Sequence, residues 1–437
     1  MKAVLSNRIF MEVNTNMQSN LDKELTYAIP PRNPLDPPFV IKNMGIVRKG
    51  LVTLPSGRTD LIPEEYEIVD KRKLSPIEPF EFKFTLRPSQ QSVYDDVSDS
   101  CIINAWVSWG KTFTALAIAN KLQQKTLIVT HTISLRSQWE KEVQKVFGIT
   151  PGIIGSGRYE IDSPIVIGNV QTLYRRMKEI NNVFGTIILD EMHHVSSPTF
   201  TRIVDASKAR YKIGLTGTME RKDGRHVIFC DYFNTNVYKP PKENYLVPKV
   251  NVIKSGVRFP DGAKTPWAAR INAVAYDWEY QNMIALLAAK YAARGHKVLV
   301  VSDRVDFLKA CNRLVGDNSI CVTGEIPHEQ RPDMIKQIFT DKDVLCGTQS
   351  IFSEGLSVDC LSCVILATPI NNEPLLTQLI GRIIRIYEGK PQPTIVDIHF
   401  EGKTARRQAN ARLGYYMKPV SYTHLRAHET SLHLVCR

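Results

Sequence analysis

Several absences narrow the class of this chain. Its 437 residues contain no apolar run of the ~18–20 residues that a membrane-spanning helix needs. The N-terminus, with Asn, Glu and Asp early on, lacks the profile of a secretory signal. Cysteine provides no metal framework: the eight cysteines are scattered, and Cys360-Leu-Ser-Cys363 is the only C-x-x-C. A zinc site would need a second pair at suitable spacing, so the thiols are expected in the core of a protein from a reducing compartment. Negative charge is in deficit, with 44 Asp and Glu against 56 Lys and Arg, a net charge of +12. That balance favours a polyanionic partner and says nothing about the fold. The length suffices for two or three domains with full cores.

What is present centres on Ala105–Thr112, A-W-V-S-W-G-K-T. An apolar run leads in, and a helical pattern from Thr114 to Leu122 leads out. A loop between a strand and a helix start gathers backbone N–H groups at the positive end of the helix dipole. The loop amides and the Lys111 ammonium suit the β- and γ-phosphates of ATP, and the Thr112 hydroxyl suits Mg²⁺. Ala105 takes the place of the usual first glycine before Gly110, and Ser108 and Trp109 stand where small residues are common. On its own such a stretch is as often a buried strand and helix as a phosphate site.

Residues 1–80 read as a small β-rich accessory domain, a candidate DNA-binding module. Short β-prone runs, Arg8–Val13, Glu24–Ile29 and Gly45–Leu54, are separated by breakers such as Pro30-Pro31 and Pro37-Pro38. Gly50–Leu54, the turn Pro55–Arg58 and Asp60–Ile62 read as strand, turn, strand. Arg48, Lys49, Arg58, Lys71, Arg72 and Lys73 could touch phosphates if they shared an edge. Next, Arg87 and Gln90 precede a helix to about Val97. Three residues apart, they can face one pocket, and a Gln amide can pair with the N6 and N7 edge of adenine.

Beyond the loop, strands at Thr126–Thr130, Ile165–Ile167, Ile187–Leu189 and Tyr211–Leu215 alternate with helices such as Ile133–Val146. This pattern predicts a parallel sheet covered on both faces, with ligands beyond the carboxyl ends of the strands. Asp190-Glu191 follows one such strand. There Asp190 can hold Mg²⁺ and Glu191 can orient and deprotonate the attacking water.

At this point the chain resembles the superfamily 2 helicases. Asp190–His193 matches their D-E-x-H box, and Thr216-Gly217-Thr218 matches the motif that couples the nucleotide site to the nucleic-acid groove. Leu127–Trp139 and Val166–Leu173 look like motifs Ia and Ib. The resemblance implies strand-phosphate contacts through Thr130, Arg136, Asn169 and Gln171, and nucleotide contact by His193.

Around Val237–Ala275 the pattern loosens, and residues 238–275 read as a linker with some strand structure in Pro248–Val257. A second α/β series follows over 276–418: helix Glu279–Arg294, strand Lys297–Ser302, helix Pro327–Phe339, then strands at Val344–Cys346, Val364–Ala367 and Thr394–Ile398. Gly347-Thr348 and Ser353–Leu356 resemble motif V, which implies Thr348 against nucleic acid and Gly355 near the nucleotide. Gln378-Leu-Ile-Gly381-Arg382-Ile-Ile-Arg385 matches motif VI, Q-x-x-G-R-x-x-R, with Gln378 at the nucleotide. Three apart on a helix, Arg382 and Arg385 share a face. Guanidinium groups from a second domain can neutralise charge on the γ-phosphoryl group. Ser421–Arg437 has no sustained period, and 419–437 reads as a non-native tail.

The expected fold is therefore α/β: two tandem RecA-like parallel-sheet domains, the first over 81–237, preceded by the β-rich domain. Within the superfamily the chain is similar to the XPB-like group and the phage branch-migration helicases of the UvsW and phage T5 type. Glu220-Arg221-Lys222-Asp223 departs from the XPB pattern, where R-E-D follows motif III. The resemblance implies an ATP- and Mg²⁺-dependent helicase acting on single-stranded and branched DNA in phage replication, recombination or repair. It further implies 3′→5′ movement, no membrane, and a place in the host cytoplasm. A duplex translocase or RNA helicase with the same motor, and a nucleic-acid-binding protein with an inactive ATPase, are the alternatives.

Overall fold

The computed structural model describes residues 1–31, 36–106, 108–193, 198–217, 219, 224–243, 245–261, 265–327, 329–353, 358–370, 372–417 and 424–428. The chain divides into two compact units, Met1–Lys242 and Glu243–Arg437.

The first unit opens with β1 (Lys2–Leu5), β2 (Arg8–Glu12), α1 (Thr15–Glu24), β3 (Thr26–Ile29), β4 (Phe39–Lys42), β5 (Gly45–Arg48), β6 (Leu51–Pro55) and β7 (Glu67–Asp70). A five-stranded sheet has the order β5-β6-β2-β1-β7, and β3 pairs with β4. Alternation in β1, β2 and β6 turns Ala3, Leu5, Ile9, Met11, Val52 and Leu54 onto one buried face. Helix α1 falls within the expected β-rich stretch, its end overlapping the run Glu24–Ile29. Its sequence T-N-M-Q-S-N-L-D-K-E buries only Leu21, so no apolar stripe announces it, while the Asn14 cap to Met17 N does. Asp60–Ile62, expected as a strand, overlaps the single 3-10 turn Thr59–Leu61 instead. The Arg58 guanidinium grips Asp60 two residues on, which favours the turn.

The N-terminal strands and turns are docked on the rest of the unit by polar contacts, chiefly to the buried Asp231 and Lys212. Asp231 accepts from Tyr27 Oη at 2.8 Å, Asn43 Nδ2 at 2.7 Å and Arg58 Nη1 at 3.4 Å. Lys212 Nζ donates to Ser56 Oγ at 2.8 Å, and Arg8 pairs with Asp205 at 2.8 Å. The turn at Gly57 lies so close that an added Cβ would meet Asn234 N at 2.7 Å.

There follow α2 (Pro88–Asp96), β8 (Cys101–Asn104), α3 (Lys111–Leu122), β9 (Thr126–Thr130), α4 (Ile133–Phe147), β10 (Gly152–Gly155), β11 (Arg158–Tyr159), β12 (Ile165–Asn169), α5 (Val170–Ile180), β13 (Thr186–Leu189), α6 (Pro198–Ala206), β14 (Tyr211–Thr216), α7 (Phe229–Phe233) and β15 (Val237–Tyr238). The eight strands run β11-β10-β12-β9-β13-β14-β8-β15, all parallel except β11. The runs C-I-I-N, T-L-I-V-T and T-I-I-L are continuously apolar or β-branched because both faces of the sheet are covered.

The second unit contains β16 (Lys249–Arg258), α8 (Trp267–Ala275), α9 (Trp278–Ala292), β17 (Lys297–Ser302), α10 (Val305–Val315), β18 (Ser319–Val322), α11 (Arg331–Lys336), β19 (Val344–Thr348), α12 (Gln349–Ser353), β20 (Leu361–Leu366), α13 (Glu373–Ile383), β21 (Thr394–Glu401), α14 (Lys403–Tyr416) and β22 (His424–His428). The sheet order is β18-β19-β17-β20-β21-β16-β22, all parallel. The strand structure expected in Pro248–Val257 is present, but the stretch around it belongs to the second unit. From Lys249 it supplies a ten-residue strand beside β21, and Ile271, Val274 and Ala275 of α8 lie in the core. Its prolines fall outside these elements or, as with Pro266, at a helix cap. The 424–428 backbone, in the stretch read as a tail, runs beside β16.

Candidate active site

The phosphate loop lies beyond the carboxyl end of β8, between that strand and α3. Gly110 caps α3 at φ 90°, a left-handed conformation, and a Cβ there would lie 2.7 Å from Gln90 Nε2. Ser108 also has positive φ, 73°. Lys111 Nζ donates to the Ala105 carbonyl at 2.9 Å, folding its side chain across the loop, and Ala105 itself is fully buried. Ala105 N donates to Thr216 O at 3.0 Å, which ties the loop to β14. Thr112 follows in the first turn of α3.

Trp109 turns inward, 1% exposed, and packs in the core under the sheet. Its indole N–H donates to Ser89 Oγ at 2.8 Å. The Trp109 carbonyl accepts from Arg87 Nη2 and, at 2.8 Å, from Gln90 Nε2. Gln90 Oε1 accepts from Arg87 N at 3.0 Å, satisfying the backbone N–H at the N-cap of α2. The amide expected to read adenine is engaged within the protein in this structure. Gln90 is 3% exposed, its Nε2 bracing the phosphate loop and its Oε1 the start of α2.

Beyond β13, Asp190 is buried. Trp139 Nε1 donates to its Oδ2 at 2.8 Å, and Glu191 N donates to its Oδ1 at 3.0 Å. Burial and then the neighbouring Glu191 carboxylate push Asp190 above the ordinary carboxylate range, against the Trp139 N–H, Lys111 and the Glu191 amide. Glu191 adopts φ 50°, strained for a non-glycine residue. Its Oε2 lies 3.2 Å from His193 Nδ1, which is 3.4 Å from Thr216 Oγ1. His193 thereby joins the acidic box to β14, the strand that runs into Gly217. Two carboxylates beside one ammonium leave this corner rich in negative charge, a donor set that fits a divalent cation.

The predicted strand-contacting residues divide. Arg136 is 8% exposed and donates to Asn169 Oδ1 at 2.8 Å, Ser156 Oγ at 3.0 Å and Glu140 Oε1 at 3.1 Å. Asn169 is buried, and Thr130 is fully buried with its hydroxyl 3.4 Å from Gly168 O. These three side chains, expected at strand phosphates, bond within the protein in this structure; Gln171, in the first turn of α5, is exposed. On the accessory sheet, Arg58 is held by Glu24, Asp60 and Asp231, and Arg72 by Asp70. Arg48, Lys49 and Lys71 are exposed.

In the second unit Arg382 is 8% exposed, with Nε donating to Phe352 O at 3.1 Å. The expectation that Arg382 and Arg385 share a helix face is corrected. Helix α13 stops at Ile383, because Leu246 N takes the Ile384 carbonyl at 2.7 Å and Arg385 bridges to Tyr245. Arg385 Nη1 instead pairs with Asp359 at 2.7 Å. Gln378 is half-buried on α13. The Thr348 hydroxyl, at the end of β19, is buried without a hydrogen-bond partner among the described residues. Thr218, Glu220–Asp223 and Gly355 lie outside the described residues.

Sequence reasoning missed two features. In sequence Trp139 is only the end of a motif, yet its indole N–H donates to Asp190. Lys242 Nζ sits 3.6 Å from the Trp106 ring centroid, a cation–π contact on the phosphate loop. Neither has a local signal, since each joins positions far apart in the chain.

Residues 83–221 match the family described as "Type III restriction enzyme, res subunit", and residues 279–387 match "Helicase conserved C-terminal domain". The chain is 41% identical over 424 residues to a protein named "Probable helicase D10" from Escherichia phage T5, covering 95% of this chain and 94% of that one. It is 24% identical over 344 residues to "ATP-dependent DNA helicase uvsW" of Enterobacteria phage T4, covering 72% of this chain and 68% of that one. In fold it is similar to Mss116p, solved bound to ssRNA and AMP-PNP, with a TM-score of 0.58, 16% identity, and coverage of 80% and 75% of the two chains. Phosphate loop, acidic box and two parallel sheets agree with these matches: the chain belongs to the superfamily 2 helicases and is an ATP-hydrolysing helicase acting on nucleic acid.

Proposed function

We propose that this helicase works on DNA, single-stranded and branched, with Mg²⁺ as the metal of its ATPase site. The observation that carries the metal assignment is the Asp190–Glu191 pair beside Lys111, an acid-rich corner at the end of β13. Lys111 and the loop amides hold the β- and γ-phosphates. The Thr112 hydroxyl and Asp190 would hold Mg²⁺. When bound, Mg²⁺ supplies charge neutralisation on the phosphate oxygens. Glu191 takes a proton from the attacking water and passes its orientation to β14 through His193 and Thr216. Arg382 supplies a guanidinium for charge developing on the γ-phosphoryl group, and Arg385 supports it. Gln171 and Thr348 touch the nucleic acid, with Gly217 and Thr218 transmitting between the two activities.

The net charge of +12 supports a polyanionic partner, and the DNA assignment is supported by the phage T4 relative, whose name describes a DNA helicase. Residues 1–80 recognise the branch through exposed Arg48, Lys49 and Lys71. The test is strand displacement on forked duplexes with 3′ or 5′ tails and on four-way junctions. Unwinding from 3′ tails and junction migration are expected. Arg48→Glu with Lys49→Glu should lower activity on forks more than ATP turnover on single strands. Equal loss of both would refute the role given to residues 1–80. Deleting residues 1–80 is a poorer test, because it would strip Asp231 and Lys212 of buried partners.

A further inference from the structure

Trp139 is 1% exposed, on the face of α4 that packs under the sheet with Val143, Ile153, Ile165 and Ile188. Shape alone does not require tryptophan there, since a phenyl ring would also fill apolar space. What the indole adds is one N–H, and it donates to Asp190 Oδ2 at 2.8 Å. The other oxygen of Asp190 is fixed by Glu191 N at 3.0 Å, so the carboxylate plane is set by two donors. Helix α4 is itself tied down. Thr132 caps its start through Leu135 N, and Arg136, one turn before Glu140, reaches across to Asn169 and Ser156. A Cβ at Gly155 would lie 2.7 Å from Asn169 Oδ1, so this anchorage is closely packed.

We infer that Trp139 is a positioning residue for the metal site: it holds the Asp190 carboxylate in the orientation that receives the cation, with α4 as its mount. The inference rests on the proposal that Asp190 holds the metal. Partners that orient a metal ligand commonly set affinity by about 10–100-fold. Trp139→Phe keeps a ring in the core and removes the donor.

The test uses the full chain with Mn²⁺ as the probe, its binding at saturating ADP read by electron paramagnetic resonance. Trp139→Phe should weaken Mn²⁺ about tenfold and leave ADP affinity without divalent ions unchanged. ATP turnover should fall in kcat with KM for ATP constant, and recover in part at high Mn²⁺. Val143→Ala, one turn further along α4, should lower the thermal midpoint without moving Mn²⁺ affinity. If Trp139→Phe does not fold, 3-benzothienylalanine at position 139 removes only the N–H, with the same result expected. Asp190→Asn separates the two claims. If Asp190→Asn leaves Mn²⁺ affinity intact, the metal assignment falls. If Asp190→Asn weakens Mn²⁺ and the position-139 changes do not, the role of Trp139 is overturned.

Discussion

In the first unit, five described non-glycine residues adopt positive φ: Ser108, Gln123, Ser156, Glu191 and Asn234. The described residues of the second unit have none. Ser108 and Glu191 lie in the phosphate loop and the acidic box, where such conformations cost about 1–3 kcal/mol each. The second unit presents its proposed site residues differently. Arg382 sits in the last turn of an ordinary helix, and Arg385 just beyond it, each hydrogen-bonded within its own unit. On the roles proposed above, two sheets of the same parallel type would thus divide the work. One holds carboxylates and amides in strained, fixed positions, and the other carries guanidinium groups on relaxed backbone.

The sharpest way to break this division is Arg382→Ala. Nucleic-acid-stimulated ATP turnover should fall by about 10³-fold or more, while binding of a fluorescent ADP analogue persists. A loss of less than about tenfold would remove Arg382 from the transition state. Glu191→Gln should lower kcat by about 10²–10⁴-fold and retain ATP binding. A comparable loss of binding would make Glu191 a binding residue and blur the contrast.

Two smaller effects concern what holds each unit together. In the second unit Asp397 and Arg412 are buried and paired at 2.7 Å, with the Asp397 Oδ1 and Oδ2 both accepting from Arg412 Nε. Asp397→Ala would strand the guanidinium and should destabilise by about 3–5 kcal/mol. Loss of hydrogen-exchange protection should centre on β21 and α14. In the first unit burial pushes Lys212 down to about 7. Its folded value lies below the unfolded one near 10.5, so the folded state binds fewer protons between them. Stability from this group therefore rises with pH from about 7 towards 10.5 and is flat below 7, with a slope of at most about 1.4 kcal/mol per pH unit. Denaturant unfolding of Lys212→Met should lack that rise. Parallel curves for both proteins would mean that Lys212 stays charged.

The parts legible in the sequence were those with local pattern. The strands around Thr126–Thr130 and Lys297–Ser302 are apolar runs of strand length, and G-K-T and D-E-x-H mark the ends of two strands. Helix α14, K-T-A-R-R-Q-A-N-A-R-L-G-Y-Y, was not legible, because its buried face includes Gln408 and Arg412 in place of an apolar stripe. The inward roles of Gln90, Arg136 and Asn169 were hidden for a related reason. A polar side chain reads as available until its partner is known, and their partners include Trp109 O and Ser156, distant in sequence. Trp139 is the reverse case, a residue that reads as core and carries one polar contact that matters.

The most direct measurement is ATP turnover with single-stranded DNA, duplex DNA, forked DNA and single-stranded RNA, each run beside Lys111→Ala. Forked and single-stranded DNA should stimulate most, and Lys111→Ala should abolish turnover with every nucleic acid. Stimulation by RNA alone, or turnover that survives the loss of Lys111, would contradict a DNA motor driven from this phosphate loop.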